Sequence, residues 1–328
     1  MTKRQLLDTF RVDNWVIQNA PLTFGARRAG IQLYLPGLEP FGPFDYWATL
    51  ALYSLLDPKN PTAPVETTAT ELLTVLEFAR EVSDALAGYE TFPSEAYNLL
   101  EESLQRLFTV EVTWRNFWEV KTGKGSKKPG RPKKQWVEYH GRILVEYSFV
   151  YSPGVEPPAL LPASARVNVN RAKTTTGEPG PAIWKRKEGP RPVGISYQLA
   201  PRLVNGLTGE DPNIGATIVP LRIFRLRSTF GAYPIATRLL LWVIRQTGRD
   251  TTRHLDRLAL ELNVKGKDKR RNRETLKRFF AMLQTAGVVE TFSTFLKDGE
   301  EWVTFKKADF WHIERDKTAQ ALPAPKPV

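Results

Sequence analysis

Residues 265–278 read KGKDKRRNRETLKR and carry eight basic side chains against two acidic ones. Hydrophobic residues then recur at helical spacing (Leu276, Phe279, Phe280 and Leu283), which predicts a helix over about 269–286 that ends before Gly287. An ordinary solvated helix balances its charges, whereas this one is strongly positive. We therefore expect a core on one side of the helix and phosphate groups on the other. The candidate DNA-binding residues are Lys265, Lys267, Lys269, Arg270, Arg271, Asn272, Arg273, Lys277 and Arg278.

The helical period sorts these cations by direction. At about 100° per residue, Arg270, Arg273 and Lys277 fall on the flank of the apolar stripe, with Arg271 and Arg278 further round the helix. The competing interpretation is a solvated charged face that binds nothing.

The flanking sequence predicts the rest of a module. Helices are expected over about 234–246 and about 253–263 from their apolar periodicity. After the basic helix, the β-rich runs 288–296 and 300–305 flank Lys297-Asp298-Gly299, and Asp-Gly between such runs predicts a hairpin. Three helices followed by a hairpin is the order of a winged helix, whose third helix enters the major groove with its N-terminal residues at the bases.

The N-terminal half repeats this plan. Helices are predicted from Phe44, from a capping box at Thr68 and Glu71, and after Pro93. The β-rich runs 108–120 and 135–151 follow. The repeat indicates a diverged tandem duplication. The predicted fold class is therefore α+β, with two tandem winged-helix domains, each three helices plus a β-hairpin wing.

The domain boundaries follow from these elements. The N-terminal winged-helix domain is assigned to residues 1–208 and includes a Pro/Gly-rich insertion at 152–192. The C-terminal winged-helix domain is assigned to 209–316, beginning with a strand-to-helix segment at 217–228. Residues 317–328 are predicted to be a disordered tail.

The two third helices differ in charge. In the N-terminal module the expected solvent positions are Glu95, Glu101, Glu102, Gln105 and Arg106. Carboxylates repel phosphate, so this helix is not expected to read DNA. Its outer face either contacts a protein or is solvated.

A basic wing (residues 121–134, KTGKGSKKPGRPKK) joins the two N-terminal β-rich runs and contains seven basic residues and no acid. Gly130-Arg131-Pro132 with flanking lysines resembles an AT-hook, which lays an extended arginine along the narrow A·T minor groove. A general phosphate-binding loop and a purely solvated loop are the alternatives. Its candidate DNA-binding residues are Lys124, Lys127, Lys128, Arg131, Lys133 and Lys134.

Composition limits the partners. The 328 residues carry 47 Lys and Arg against 35 Asp and Glu, a formal charge of +12, which favours a polyanion, nucleic acid before a membrane surface. Cysteine is absent, so disulfides and thiolate metal sites are excluded, and a cytoplasmic location is expected. No membrane span is predicted.

The order of parts resembles the tandem winged-helix replication initiator (Rep) proteins of iteron-type plasmids. The stretches that carry the resemblance are ISYQLAPRLVNGL (195–207), LRIFRLRSTFGAYPIATRLLLWVI (221–244) and the basic third helix. The family often shows L-x-S-x-aromatic followed by A-x-R-L, here Leu226 to Phe230 and Ala236 to Leu239 with extra spacing. The long basic wing and the Pro/Gly-rich insertion also depart from the family pattern.

The resemblance implies a sequence-specific initiator that binds direct repeats in double-stranded DNA at an origin, promotes opening of adjacent A·T-rich DNA and recruits host replication proteins. It assigns the main reading role to Lys269, Arg270, Arg273 and Lys277, with Asn272 as a further candidate. It also implies that the first module contacts mainly the DNA backbone and carries dimer contacts, and that the protein is bacterial, cytoplasmic and DNA-associated.

Catalytic motifs are not evident. The three histidines (His140, His254 and His312) lack metal-ligand spacing, and no phosphate-binding P-loop occurs. We therefore expect no enzymatic activity, no cofactor and no metal. A winged-helix transcriptional repressor or regulator is the main alternative, and a nuclease or primase with a cryptic metal site is a third class.

Overall fold

The computed structural model describes residues 9–13, 16–17, 41–83, 89–109, 112–120, 133–155, 192–208, 216–231, 233–246, 248–262, 264, 266 and 268–311. These residues form a mixed α+β fold with small antiparallel sheets. The helices are α1 (Pro43–Ser54), α2 (Ala69–Val75), α3 (Ser94–Thr109), α4 (Pro201–Thr208), α5 (Arg227–Phe230), α6 (Pro234–Arg245), α7 (Leu255–Glu261) and α8 (Lys269–Thr285), with 3-10 turns at Leu221–Leu226 and Asp309–Trp311. The strands are β1 (Thr9–Asp13), β2 (Val65–Thr67), β3 (Glu81–Ser83), β4 (Tyr89–Thr91), β5 (Val112–Val120), β6 (Lys133–Gly141), β7 (Leu144–Val150), β8 (Gly194–Leu199), β9 (Ala216–Pro220), β10 (Asp250–His254), β11 (Val289–Lys297) and β12 (Glu300–Lys307).

The C-terminal elements follow the predicted order. The basic helix α8 and the hairpin β11–β12 are confirmed, and the hairpin turn has Asp298 at φ 55° and Gly299 at φ 75°. Positive φ at both central residues is what a tight hairpin turn requires, and Asp-Gly supplies it at low cost. The sheet order is β10-β12-β11.

The second helix of this module is shorter than predicted. Residues 253–254 belong to β10, which pairs with β12, and α7 begins only at Leu255. The β-branched Thr251 and Thr252 favour the extended strand. His254 then becomes the N-cap residue, and its Nδ1 accepts the N–H of Arg257 at 3.2 Å.

The N-terminal helices are confirmed at the expected places. Thr68 caps α2, because its hydroxyl accepts the N–H of Glu71 at 3.0 Å. The Glu71 carboxylate accepts the hydroxyl of Thr67 at 2.7 Å.

The predicted run 135–151 is two strands rather than one. β6 pairs with β5 as the expected hairpin, but β7 pairs with β8 in a separate sheet of order β2-β8-β7. Ile143, between the two strands, is fully buried, and its carbonyl accepts the N–H of Ala200 at 2.9 Å. The break therefore directs β7 toward a strand far away in the sequence.

The expectation that Arg106 is a solvent position of α3 is wrong. Its Nε and Nη2 donate to the Asp45 carboxylate of α1 at 2.9–3.1 Å, and the Asp45 side chain is fully buried. The long arginine side chain reaches across the packed α1–α3 contact to a charge that needs a partner there. Glu95 is exposed, whereas Glu101, Glu102 and Gln105 are half-buried.

Strand pairing and a common hydrophobic cluster join the two predicted modules. β1 pairs antiparallel with β9, from Thr9 opposite Pro220 to Asp13 opposite Ala216. The Asp13 carboxylate is buried and accepts the N–H of Gly206 in α4 at 2.9 Å. One hydrophobic cluster contains buried residues from Phe10 to Trp311. The boundary at 208 and 209 stays a prediction, and the tail 317–328 and most of the insertion 152–192 lie outside the described residues.

Candidate nucleic-acid interface

The basic helix α8 is anchored by its apolar side. Leu276, Phe279, Phe280 and Leu283 are buried, as the helical period predicted. The Phe280 ring stacks on Phe292 of β11 with centroids 5.7 Å apart. Because this side is fixed in the core, the opposite side of the helix faces solvent.

The start of α8 is fixed by capping. The Asp268 carboxylate accepts the N–H of Arg270 at 2.9 Å, and the Asp268 carbonyl accepts the N–H of Asn272 at 3.1 Å. A side-chain N-cap satisfies a backbone donor that the first turn would otherwise leave open. The backbone of the first turn is therefore ordered, which fixes the positions from which its cations project.

Four of the predicted cations are exposed: Lys269, Arg270, Arg271 and Arg278. The Lys269 side chain is 80% exposed, and its Nζ lies 4.0 Å from the Asp256 carboxylate. Arg278 lies further along the helix and places its guanidinium 5.0 Å from the Phe279 ring centre. The cluster at residues 269–271 is therefore an open positive surface at the N-terminal end of the helix.

Arg273 is instead engaged with another helix. Its Nε and Nη2 each donate to one oxygen of Asp256, in α7, at 2.7 Å, a bidentate geometry that fixes the guanidinium plane. The hydrogen bond to Asp256, with the attraction of that carboxylate, raises the pKa of Arg273. The same hydrogen bond lowers the pKa of Asp256, so both groups stay charged.

Lys277 is held by two carboxylates. Its Nζ lies 2.9 Å from Glu274 of the same helix and 2.5 Å from Glu301 at the start of β12. The hydrogen bonds that Lys277 donates to Glu301 and, second, to Glu274 raise its pKa. Glu301 also lies 4.0 Å from Nη1 of Arg273, so the hairpin is tied to both cations.

Asn272 is occupied by local structure. Its side-chain Nδ2 donates to the carbonyl of Gly266 at 3.0 Å. A Cβ at position 266 would lie 2.1 Å from Asn272 Oδ1, so a larger residue there would require the Asn272 side chain to move. This amide shapes the turn before α8.

Several predicted residues lie outside the described part of the chain. They are Lys265 and Lys267 before α8, and Lys124, Lys127, Lys128 and Arg131 in the basic wing. Lys133 and Lys134 form the start of β6, with backbones opposite Val120 and Glu119. All of these residues stay predictions as DNA contacts.

The sequence reasoning missed the two acidic partners, Asp256 and Glu301. They lie 17 residues before and 28 residues after Arg273, so no local period connects them to it. It also did not single out Arg257, an exposed cation next to Asp256 in α7. The sequence signal for Asp256 was that it is a polar residue close to the predicted start of the second helix.

Two further observations concern metal sites and membrane spans. Among them, no group of three or more His, Asp or Glu side chains is placed to hold a metal ion. None of the helices in the described ranges is long and apolar enough to span a membrane.

Comparisons with known proteins give remote structural similarity alone. No family model matches the sequence, and no curated protein matches it. The chain is similar to a crystal structure of RctB domains 2-3, with 11% identity, 94% of this chain and 95% of that chain covered, and a TM-score of 0.45. A selenomethionine derivative of domain 2 and domain 3 of RctB gives 11% identity, 94% coverage of both chains and a TM-score of 0.47.

Proposed function

We propose that this chain is a sequence-specific DNA-binding protein that initiates replication by binding repeated sites at an origin. The observation that carries the proposal is the exposed cation cluster at residues 269–271, on a helix whose other side is buried in the core. Cations that project from a rigid element can approach a polyanion without reorganising the fold. The net charge of +12 acts in the same direction.

We further propose that the two halves are winged-helix modules. In the C-terminal half the support is the order α6, β10, α7, α8, β11 and β12, with the hairpin strands in one sheet. In that arrangement the N-terminal half of α8 would enter the major groove, where its side chains would lie beside base edges and phosphates. The basic wing would add contacts to phosphate or to an A·T minor groove from the other module.

The initiator role includes opening of adjacent A·T-rich DNA and recruitment of host replication proteins, with self-association through the N-terminal domain. These roles follow from the sequence resemblance. The proposal assigns no catalytic step to the chain. Metal-dependent cleavage or primer synthesis by the purified protein would contradict that part of it.

The test is footprinting of the full chain on DNA flanking its own gene, at two salt concentrations. The initiator proposal expects protection of evenly spaced direct repeats beside an A·T-rich segment. Protection of a single promoter operator would favour a transcriptional repressor with the same interface. The absence of any protected site would overturn both, leaving α8 as a surface for phosphate alone.

A further inference from the structure

A carboxylate clamp surrounds two of the cations on α8. It consists of Asp256 in the first turn of α7, Glu274 in α8 itself and Glu301 at the start of β12. Asp256 holds Arg273 through two hydrogen bonds of 2.7 Å, and Glu274 and Glu301 hold Lys277 at 2.9 and 2.5 Å. Three elements therefore meet at these two side chains.

The clamp leaves both cations within reach of solvent. The side chains of Arg273 and Lys277 are 26% and 27% exposed, compared with 80% for Lys269. The Nη1 group of Arg273 is not used by the bidentate pair, and it lies 4.0 Å from the Glu301 carboxylate. Arg273 thus keeps donors available while its guanidinium plane is fixed.

Stability alone is a weak reason for this arrangement. Isolated ion pairs near the surface contribute little to stability, because solvent screens them and two long side chains must be ordered, although a bidentate pair within a network contributes more. Carboxylates beside a DNA-binding helix also oppose phosphate. What the clamp supplies is a single conformation for two long side chains, and ordering before binding removes an entropy cost from recognition.

We infer that Asp256 and Glu301 are positioning residues that fix Arg273 and Lys277 for reading DNA bases, while Lys269, Arg270 and Arg271 neutralise phosphate. This inference rests on the proposed DNA-binding function. It divides the cations of α8 into a held pair, which gives sequence specificity, and an exposed cluster, which gives affinity for any DNA. It also makes the hairpin part of the reading surface, because Glu301 belongs to β12.

The test compares specific with non-specific affinity in the full chain. Asp256→Asn and Glu301→Gln each remove one negative charge, which should tighten binding to random-sequence DNA. If the clamp positions readers, binding to the protected repeat should weaken at the same time. The ratio of specific to non-specific affinity should fall by about tenfold or more, the usual value of one well-placed bidentate contact.

Three further variants separate positioning from charge and from folding. Glu274→Gln makes the same charge change on an exposed partner of Lys277. Of these charge-neutralising variants, it should lower the ratio of specific to non-specific affinity least. Asp256→Glu restores the carboxylate and should recover part of the ratio. Arg273→Lys keeps the net charge but removes the planar fork, so it should lower specific affinity and leave non-specific affinity unchanged. Thermal unfolding of each variant verifies that it is folded.

The outcomes are distinguishable. If Asp256→Asn and Glu301→Gln tighten binding to both DNAs equally, the carboxylates act only through net charge and the inference is wrong. If they tighten specific binding more than non-specific binding, the clamp masks the cations, which also overturns it. A wild-type chain without any preferred site would overturn the proposed function itself, before any variant is compared.

Discussion

The Nε atom of Arg227 donates a hydrogen bond to the carbonyl oxygen of Leu76 at 2.7 Å, and thereby joins the second half of the chain to the end of α2 in the first half. The guanidinium also lies 3.8 Å from the ring centre of Phe78, and its Nη2 reaches the Glu77 carbonyl at 3.3 Å. Glu77 has φ 53°, so α2 ends in a left-handed residue and its last carbonyls need partners from outside the helix. Burial lowers the pKa of Arg227.

Arg227→Ala should lower the free energy of unfolding by about 1–3 kcal/mol, because it leaves the Leu76 carbonyl without its charged donor. Urea unfolding measures the decrease. Arg225→Ala is the matched control, since Arg225 meets Glu77 at 3.6 Å with side chains 75% and 51% exposed. Its cost should stay below about 1 kcal/mol. Equal decreases for the two variants would show that Arg227 contributes no more than a surface charge.

Asp45→Asn should destabilise the chain by about 3–5 kcal/mol, the usual cost of removing one partner from a buried ion pair. Asp45 also accepts the N–H of Gly42 at 2.7 Å, so the start of α1 depends on the same carboxylate. Glu102→Gln is the control, because Glu102 faces Arg106 at 3.7 Å from a partly exposed position. We expect it to cost far less in thermal or urea unfolding.

A double variant tests whether the pair acts as a unit. Asp45→Asn combined with Arg106→Met removes both charges, so its cost should be smaller than the sum of the two single changes. Strictly additive costs would mean that the two side chains contribute independently.

Lys307 predicts a specific pH dependence of stability. Its side chain is buried, its Nζ donates to the carbonyl of Gln246 at the end of α6, and burial lowers its pKa to about 8. Between pH 8 and the ordinary lysine pKa of 10.5, the unfolded chain holds this proton and the folded chain releases it, so the free energy of unfolding rises with pH. Lys307→Met should remove that rise.

The measurement is the difference in unfolding free energy between wild type and Lys307→Met across this range, because other titrating groups cancel in the difference. Parallel pH profiles would mean that Lys307 keeps its ordinary pKa in the folded chain.

Charge reversal on α8 tests the candidate interface directly. Arg270→Glu together with Arg273→Glu should abolish specific DNA binding, since one change repels phosphate and the other breaks the pair with Asp256. Lys59→Glu makes one reversal at an exposed position in the N-terminal half and should have a small effect compared with Arg270→Glu alone. Equal weakening by these two single variants would attribute binding to net charge. Filter binding or fluorescence anisotropy gives the affinities.

Replacement of residues 124–132 of the basic wing by glycine and serine keeps the pairing of Val120 with Lys133 and removes four predicted phosphate-binding side chains. We expect lower affinity and a shallower dependence of log K on log salt, by about 0.9 for each phosphate that the wing no longer neutralises. An unchanged slope would place the wing away from the DNA backbone.

Local signals in the sequence determined the elements of the candidate interface. The period of Leu276, Phe279, Phe280 and Leu283 predicted the buried side of α8, and Asp298-Gly299 predicted the hairpin turn. Each of these patterns involves residues that follow one another within about four positions of the sequence. They can therefore be recognised without knowing which distant residues they contact.

The tertiary structure alone decided which charges are free and which are held. Arg106 and Asp45 are 61 residues apart, and Arg273 and Asp256 are 17 apart, so each pair exists only because packing brings two elements together. The pairing of β1 with β9 has the same origin, as do the three-residue strands β2 to β4, which are too short to show a period. A sequence specifies local periodicity directly, whereas the pairing of distant charges depends on the full set of contacts that folding selects.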